Sequence, residues 1–526
     1  MSPLNRRDFL RAAIAGSALF STRLPAAAST RAHATAPAAD TARPGRRRAR
    51  NVILLVADGM SMGTLAMAEH YLRCFEGRGT RWLGLYREHP DTRRAAVDTR
   101  PADSLVTDSA AAASAWSCGL KVKNGALNRT PDGRLHTPIL RRAAAAGIGT
   151  ALVTSARITH ATPAAFGAMA ESRVDEPDIA LQYLDARYDV LLGGGACFFD
   201  PGKRTDKRDL FSAFSEAGYH VARDRAALLA APPAGRLLGL FDHDHLPYVL
   251  DRKAAAAPAA AAVPSLAGLA RAAIARMAAH PGGFLMQIEG ARVDMAAHAN
   301  DIAALIHEQL DFDAAAGAAL DFAAARDDTL VLLTTDHGNA NPGLNGSGGG
   351  FDLRGGSYGD TRKCFERLAG FRRTNAWVLD GLSAGSTPDA IRERVKTATG
   401  IALPDDEISL LRRALQDASS PREGYRVRNH PLITLGQLLS NHTSIGWNGV
   451  AHTADYVELA AIGPGSEPVR GLMQNTDLFG VMTGALGLAP SAQPAVGARR
   501  ARRPGAPLCR SWRAMQKGWA MQKGSG

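Results

Sequence analysis

Three apolar runs in this chain stop in acids and imidazoles. Asn51–Ala57 ends in Asp58-Gly59, Phe284–Ile288 ends in Glu289-Gly290 with Asp294 and His298 close behind, and Thr329–Thr334 ends in Asp336-His337. His452 stands apart, beside Thr453. Mixed Asp and His donors suit zinc, and an oxygen-dominated set of Asp, Thr and Glu suits magnesium. Asp294 and His298 are spaced i, i+4, so a helix puts both on one face, where they can share an ion. A hydroxyl stands in a different setting. Thr107-Asp108-Ser109 leads into Ala110–Ala113, which places Ser109 at or next to the N-cap of an Ala-rich helix. Exposed N–H groups and the helix dipole favour an anion there. Taken singly, Asp58 could cap the next helix and Ser109 could cap its own. Three such strand ends, together with His452 and Ser109, call for a shared site.

Those side chains need elements to hold them. Asn51–Ala57 has the continuous apolar character of a buried parallel strand, and further strands are expected at 150–154, 189–192, 284–288, 329–334 and 457–462. Helices are expected at about 265–280 and 300–325, and Thr476–Leu488 closes the domain. The alternation predicts a three-layer α/β/α sandwich around a mostly parallel central sheet. Open sheets of that kind keep their chemistry at the carboxyl ends of the strands, where these acids lie. The Ala- and Pro-rich stretch 254–264 reads as a loop or linker. Residues of about 338–450, which include the run Gly346-Ser-Gly-Gly-Gly350, read as a less regular insertion before the last metal-ligand motif.

The chain's 526 residues suffice for one large domain with insertions, and 46% hydrophobic with 21% charged residues marks a globular protein. The net charge of +12 belongs to the ends. Residues 1–50 carry ten Arg against Asp8 and Asp40, and residues 496–526 carry six Arg, two Lys and no acid. The body between them is mildly acidic, which argues against nucleic-acid binding by the core. Asn5-Arg6-Arg7-Asp8-Phe9-Leu10, a short apolar run and Ala26-Ala27-Ala28 form a twin-arginine export pattern, with cleavage expected after Ala28 or Ala34. Residues 1–28 are therefore expected to be a signal peptide that directs the protein to the periplasm or medium. Residues 29–50 then form a disordered leader, and 489–526 a basic, disordered tail. No apolar run is long enough to span a membrane. The five cysteines are scattered, with no CxxC or zinc-finger spacing and no disulfide expected.

In order, the motifs are Val56-Ala57-Asp58-Gly59-Met60, Thr107-Asp108-Ser109-Ala110-Ala111, His160-Ala161-Thr162-Pro163, Glu289-Gly290-Ala291-Arg292-Val293-Asp294, Thr335-Asp336-His337-Gly338, His452-Thr453 and Thr476-Asp477-Leu478-Phe479. As an ordered set over about residues 51–488 they resemble the alkaline phosphatases. The resemblance implies a catalytic domain of that extent and a two-zinc plus magnesium site. Asp294, His298 and His452 would hold the first zinc, and Asp58, Asp336 and His337 the second. Asp58 would bridge to magnesium, whose other protein ligands would be Thr162 and Glu289. Ser109 would be the nucleophile, passing through a phosphoserine. Arg173 would clamp the phosphate, with Asp108 orienting it. Substrates would be phosphate monoesters, released as alcohol and inorganic phosphate, and a homodimer is implied. His160 stands beside the magnesium position, where some relatives have Asp, and would retune that third site. Met295 replaces a Lys, His or Trp and brings no charge to phosphate.

A phosphodiesterase of the same superfamily and a non-catalytic phosphate-binding protein are the alternatives. Arg173 favours monoesters, and a binder has no use for Ser109. A sulfatase would need Cys/Ser-x-Pro-x-Arg around its nucleophile, which Ser109 lacks. Asp242-His243-Asp244-His245 imitates a metal tetrad, but alternation along an extended segment splits it over two faces, so it is expected at the substrate rim. Gly193–Gly195 lacks the P-loop pattern and reads as a turn. His70 and His280 read as surface or structural residues.

Overall fold

A computed structural model describes residues 48–256, 262–346, 360–417 and 430–488. The expected signal peptide, almost all of the expected leader and the basic tail lie outside the described residues. Its centre is a ten-stranded sheet. The sheet consists of β1 (Asn51–Val56), β2 (Arg93–Asp98), β3 (Gly149–Arg157), β4 (Val190–Gly194), β5 (Tyr219–Ala222), β6 (Arg236–Leu240), β7 (Phe284–Glu289), β8 (Thr329–Thr334), β13 (Val457–Ile462) and β14 (Gly471–Gln474). Two short ribbons supply the rest: β9 (Gly338–Asn339) pairs with β12 (His452–Thr453), and β10 (Gly343–Leu344) with β11 (Ile445–Gly446). The spatial order is β14-β2-β13-β8-β1-β7-β3-β4-β6-β5. Only β13 runs against its sheet neighbours. The expected architecture is present.

β1 lies near the middle of the sheet and every residue of it is buried. Ile53 and Leu55 face one core, and Val52, Leu54 and Val56 face the other. The first core packs under the helices Leu266–Met277 and Ile302–Ala324, and the second under Ser109–Cys118 and Ala161–Gly167. A strand sandwiched in this way must be apolar on both faces, which is why it reads as an unbroken run. Each fully buried Ile, Leu or Val contributes about 1.5–3 kcal/mol by leaving water. β2, β5, β6 and β14 were absent from the sequence expectation. β2 begins Arg93-Arg94 with both side chains exposed, and β5 and β14 are four-residue edge strands. β2, β5 and β14 lack the continuous apolar run of the central strands, whereas β6 carries a short one in Leu237–Leu240.

The register fixes the position of the site. Val56 pairs with Glu289 on one side and Thr334 on the other, and Glu289 pairs with Thr154. Three strands, β1, β7 and β8, therefore end in one row beside Thr154 of β3, and the residues that leave them emerge at the same edge.

The 338–450 segment is more regular than expected. Besides its ribbons it contains the helices Thr361–Glu366, Asn375–Asp380, Pro388–Thr399, Asp405–Asp417 and Pro431–Thr443. Thr374 and Thr387 cap two of them by accepting from Trp377 and Ala390 N–H groups. Thr-Pro-Asp at 387–389 is a helix-start pattern that the neighbouring glycines obscured. Gly193 and Gly194 belong to strand β4, and the turn comes only at Gly195, with φ of 91°. A Cβ on Gly194 would stand 2.1 Å from the Asp244 carbonyl oxygen, so glycine is required there by the close approach of another backbone.

Glu308, on the Ile302–Ala324 helix, is buried and accepts from Val249 N at 2.6 Å. Burial pushes its carboxyl up to about 7. The folded state therefore binds more protons than the unfolded one between the two pKa values, and stability falls as pH rises through that window. Glu308→Gln keeps a carbonyl acceptor without the charge. Between pH 4.5 and 7 its urea midpoint is expected to fall less than that of the parent; equal slopes would refute the assignment.

Candidate active site

Three groups of ligand-capable side chains converge at the row of strand ends: Asp294 with His298 and His452, Asp58 with Asp336 and His337, and Asp58 with His160 and Glu289. Within each group the candidate ligand atoms lie within 4.8 Å of one another. Asp58 follows β1, Glu289 ends β7 and Asp336 follows β8, while Asp294 and His298 share the helix Arg292–His298 as their spacing predicted. His452 arrives on the β12 ribbon, beside Asn339 of β9.

The first group has its imidazoles set by backbone acceptors. His298 Nδ1 lies 2.7 Å from the Val450 carbonyl and His452 Nδ1 2.8 Å from that of Thr107. Each Nδ1 must donate to its carbonyl, so each neutral ring presents a lone pair at Nε2. Those two Nε2 atoms face each other at 3.0 Å, with Asp294 oxygens 3.4 and 3.6 Å away. Lone pairs and carboxylates aimed at one point fit a cation. Asn339 Nδ2 donates to Asp294 Oδ1 at 2.7 Å and holds that carboxylate.

In the second and third groups the orphaned atoms supply the test. Both carboxylate oxygens of Asp58, Oδ2 of Asp336, Oε1 of Glu289, Oγ1 of Thr162 and Nδ1 of both His160 and His337 are buried without a hydrogen-bond partner. Asp336 Oδ2 lies 3.1 Å from His337 Nε2 without forming a hydrogen bond. Native interiors seldom leave so many polar atoms unpaired in one place, and divalent cations fit this donor set. The electrostatics agree. Burial, then the charges of Asp336, Asp294 and Glu289, drives the Asp58 carboxyl well above its usual range. Burial likewise raises Glu289 to about 7 and lowers His452 to about 4. At Asp294 burial pushes upward, but His298, His452 and His337 outweigh it and hold the carboxyl low.

Ser109 is the first residue of the helix Ser109–Cys118, and Asp108 is its N-cap, accepting from Ala111 N at 2.9 Å. The cap is thus the acid, and the hydroxyl is left free to face the metal-ligand groups. Ser109 Oγ lies 3.4 Å from His337 Nε2. The other oxygen of Asp108 accepts from Gly125 N and from Arg173 Nη1, each at 3.0 Å. Arg173 Nη2 is 3.0 Å from His160 Nε2. The guanidinium is held at two corners, by Asp108 and by His160.

A family model described as Alkaline phosphatase matches residues 49–488. The chain belongs to the alkaline phosphatase family. It is therefore a phosphatase with sites able to hold metal ions. It is 31% identical over 445 residues to alkaline phosphatase 3 of Bacillus subtilis, covering 82% of this chain and 87% of that one. It is also 33% identical over 503 residues to the streptomycin-6-phosphate phosphatase of Streptomyces griseus, covering 86% and 94%. Among solved structures, the alkaline phosphatase of Thermus thermophilus superposes with a TM-score of 0.78 at 34% identity, covering 85% of this chain and 93% of that one.

In this alkaline phosphatase the Asp and His residues expected as metal ligands are brought into three adjoining groups, and Ser109 lies against His337. His160, expected next to the third site, brings a ring nitrogen into the same group as Asp58 and Glu289. The Asp242–His245 tetrad enters none of the ligand groups. Asp244 and His245 Nε2 both meet Arg157 Nη1 at 2.7 Å, Glu176 takes the other side of that guanidinium, and the His245 ring stands edge-on to His160 at 5.5 Å. Cys74, Cys118, Cys197 and Cys364 are free thiols. Two site residues were missed. Thr154 donates to Glu289 Oε2 at 2.5 Å, and Asn339 binds Asp294. Thr154 could have been found, because it ends a predicted strand as the ligand strands do. Asn339 required the β9–β12 ribbon, which no run of residues announces.

Gly59 has φ of 68°, and a Cβ there would stand 2.4 Å from Asp294 Oδ1 and 2.8 Å from its Cα. Gly59→Ala is expected to displace that carboxylate. It should lower the thermal midpoint and, after dialysis, leave the protein with less bound metal than the parent by elemental analysis. Parental metal content would contradict the close-approach argument.

Proposed function

We propose that this chain is an exported phosphomonoesterase that hydrolyses phosphate monoesters to alcohol and inorganic phosphate through a phosphoserine at Ser109. The observation that carries this reading is the placement of Ser109 Oγ 3.4 Å from His337 Nε2, with Arg173 fastened to Asp108 beside it. Asp294, His298 and His452 would hold one zinc; Asp58, Asp336 and His337 a second; and Asp58, Glu289 and Thr162 a magnesium, with His160 adjacent. When bound, these cations supply the positive charge that lowers the pKa of a serine hydroxyl and offsets charge on phosphoryl oxygens. Ser109 Oγ attacks phosphorus as the bond to the ester oxygen breaks, and the departing alcohol takes a proton. Water then attacks the phosphoserine and returns Ser109 as a hydroxyl with inorganic phosphate. Arg173 binds two of the non-bridging oxygens through its planar fork, and Asp108 keeps that fork turned inward. The N–H groups at the helix start add donors on the same side.

Arg173 also argues for monoesters over diesters, since a guanidinium reading two terminal oxygens gains least from an esterified one. Arg6-Arg7 and the apolar run behind them support twin-arginine export to the periplasm or medium, and the homodimer implied by resemblance belongs to the same proposal.

Purified protein is expected to release p-nitrophenol from p-nitrophenyl phosphate at alkaline pH. Chelation should abolish that release, and zinc with magnesium restore it. Ser109→Ala should lower kcat by at least about a hundredfold, the scale at which loss of a nucleophile is read. Full activity in that variant would sink the nucleophile assignment. Faster cleavage of bis(p-nitrophenyl) phosphate than of the monoester, measured side by side, would favour a phosphodiesterase. Separately, Arg6→Lys with Arg7→Lys should leave the activity inside the cell.

A further inference from the structure

Asn300 joins three elements that are far apart in sequence. It stands between the ligand helix Arg292–His298 and the long helix beginning at Ile302, is buried, and has φ of 49°. Its Nδ2 donates to Ala297 O at 3.2 Å and to Gly449 O at 2.9 Å. Its Oδ1 accepts from Gln437 Nε2 at 3.2 Å. A Cβ on Gly436 would lie 2.4 Å from the Asn300 carbonyl oxygen, so the helix Pro431–Thr443 comes into backbone contact at this point. All of the amide's polar atoms are engaged, and each bond leads to a different stretch of chain.

Gly449 is the important one of these partners. The next residue, Val450, offers the carbonyl that takes the His298 Nδ1 hydrogen at 2.7 Å. Two residues later comes His452. The loop's other fastenings run to Ala340: Asn448 N donates to Ala340 O at 2.9 Å, and Ala340 N to Ala451 O at 3.0 Å. One side-chain amide, two residues past the ligand helix, thus pins the loop that both sets the tautomer of His298 and leads into His452. A left-handed backbone alone could be met by glycine. Asparagine also tolerates that region, and here it adds two donors and an acceptor.

We propose that Asn300 is a positioning residue for the Asp294–His298–His452 group, acting through Gly449 and Val450 to hold the two imidazoles at their common point. The proposal rests on the reading that this group binds a divalent cation. Asn300→Asp preserves shape and backbone tolerance while removing both N–H donors. Asn300→Gly preserves only the backbone. Leu439→Ala, in the core face of the helix Pro431–Thr443, destabilises the same segment without touching the amide.

The test titrates the full chain, stripped by chelator, with Zn2+ against a chromophoric competitor, and follows urea unfolding of the metal-free proteins in parallel. His298→Ala defines loss of this one group. Both Asn300 variants should weaken one zinc equivalent by about 10- to 100-fold, the range for partners that orient metal ligands, and spare the remainder. Leu439→Ala should lower the urea midpoint and keep parental zinc affinity. Parental affinity in both Asn300 variants, or in Asn300→Gly alone, would overturn the proposal, as would equal weakening by Leu439→Ala. If the parent itself binds no zinc that His298→Ala removes, the cation reading fails, and the positioning role fails with it.

Discussion

Four carboxylates, those of Asp58, Glu289, Asp294 and Asp336, are buried within one cluster. Ionised acids that close, taken out of water, repel strongly in a medium that screens poorly. Hydrogen bonding relieves only part of the problem. Gly59 N and His337 N satisfy one oxygen of Asp336, and Thr154 and Asn339 each cover one oxygen of Glu289 and Asp294. Asp58 has no such partner. Protonation, favoured by burial at Asp58 and Glu289, and positive charge at the centre are the remaining remedies, and the donor set suits the second.

The sheet makes the convergence possible. Adjacent strands are held about 4.8 Å apart, and equal register lines up the ends of β1, β7 and β8 at Val56, Glu289 and Thr334 with Thr154 of β3. Slipping β7 by one residue would turn Glu289 to the opposite face and break the group. Burial of β1 in two cores, one on each face, opposes such a slip, because every side chain of the strand is already committed. The stability of the middle of the protein and the precision of its site are thus the same physical fact.

Legibility followed burial and locality. Asp58, Glu289 and Asp336 were readable because each ends a long apolar run, and Asp294 with His298 because a helix repeats every 3.6 residues. Ser109 was readable as a helix start, although Asp108 proved to be the cap. Strand β2 was not, since its exposed Arg93 and Arg94 disguise it, and the edge strands β5 and β14 are only four residues long. Asn339, Asn300 and the carbonyls of Thr107 and Val450 were hidden for a different reason. They act through backbone atoms or through partners distant in sequence, 45 residues for Asn339 with Asp294 and 149 for Asn300 with Gly449, and neither composition nor period records such contacts.

The helix Ser109–Cys118 shows how the two halves of the site depend on each other. Every residue of Ser109–Cys118 is buried, and its run of alanines lets it lie close to the Ala161–Gly167 helix, which begins next to His160 and carries Thr162. Larger side chains at Ala110 to Ala113 would push the serine away from His337 and Thr162 away from Glu289 together. Arg173 spans the same gap from above, one corner on Asp108 at the cap of the first helix and the other on His160 at the cap of the second. A guanidinium fixed at both ends cannot swing with one helix alone. Arg173 and the Asp58–His160–Glu289 group are therefore mechanically coupled through His160, so a change at that imidazole acts directly on the guanidinium.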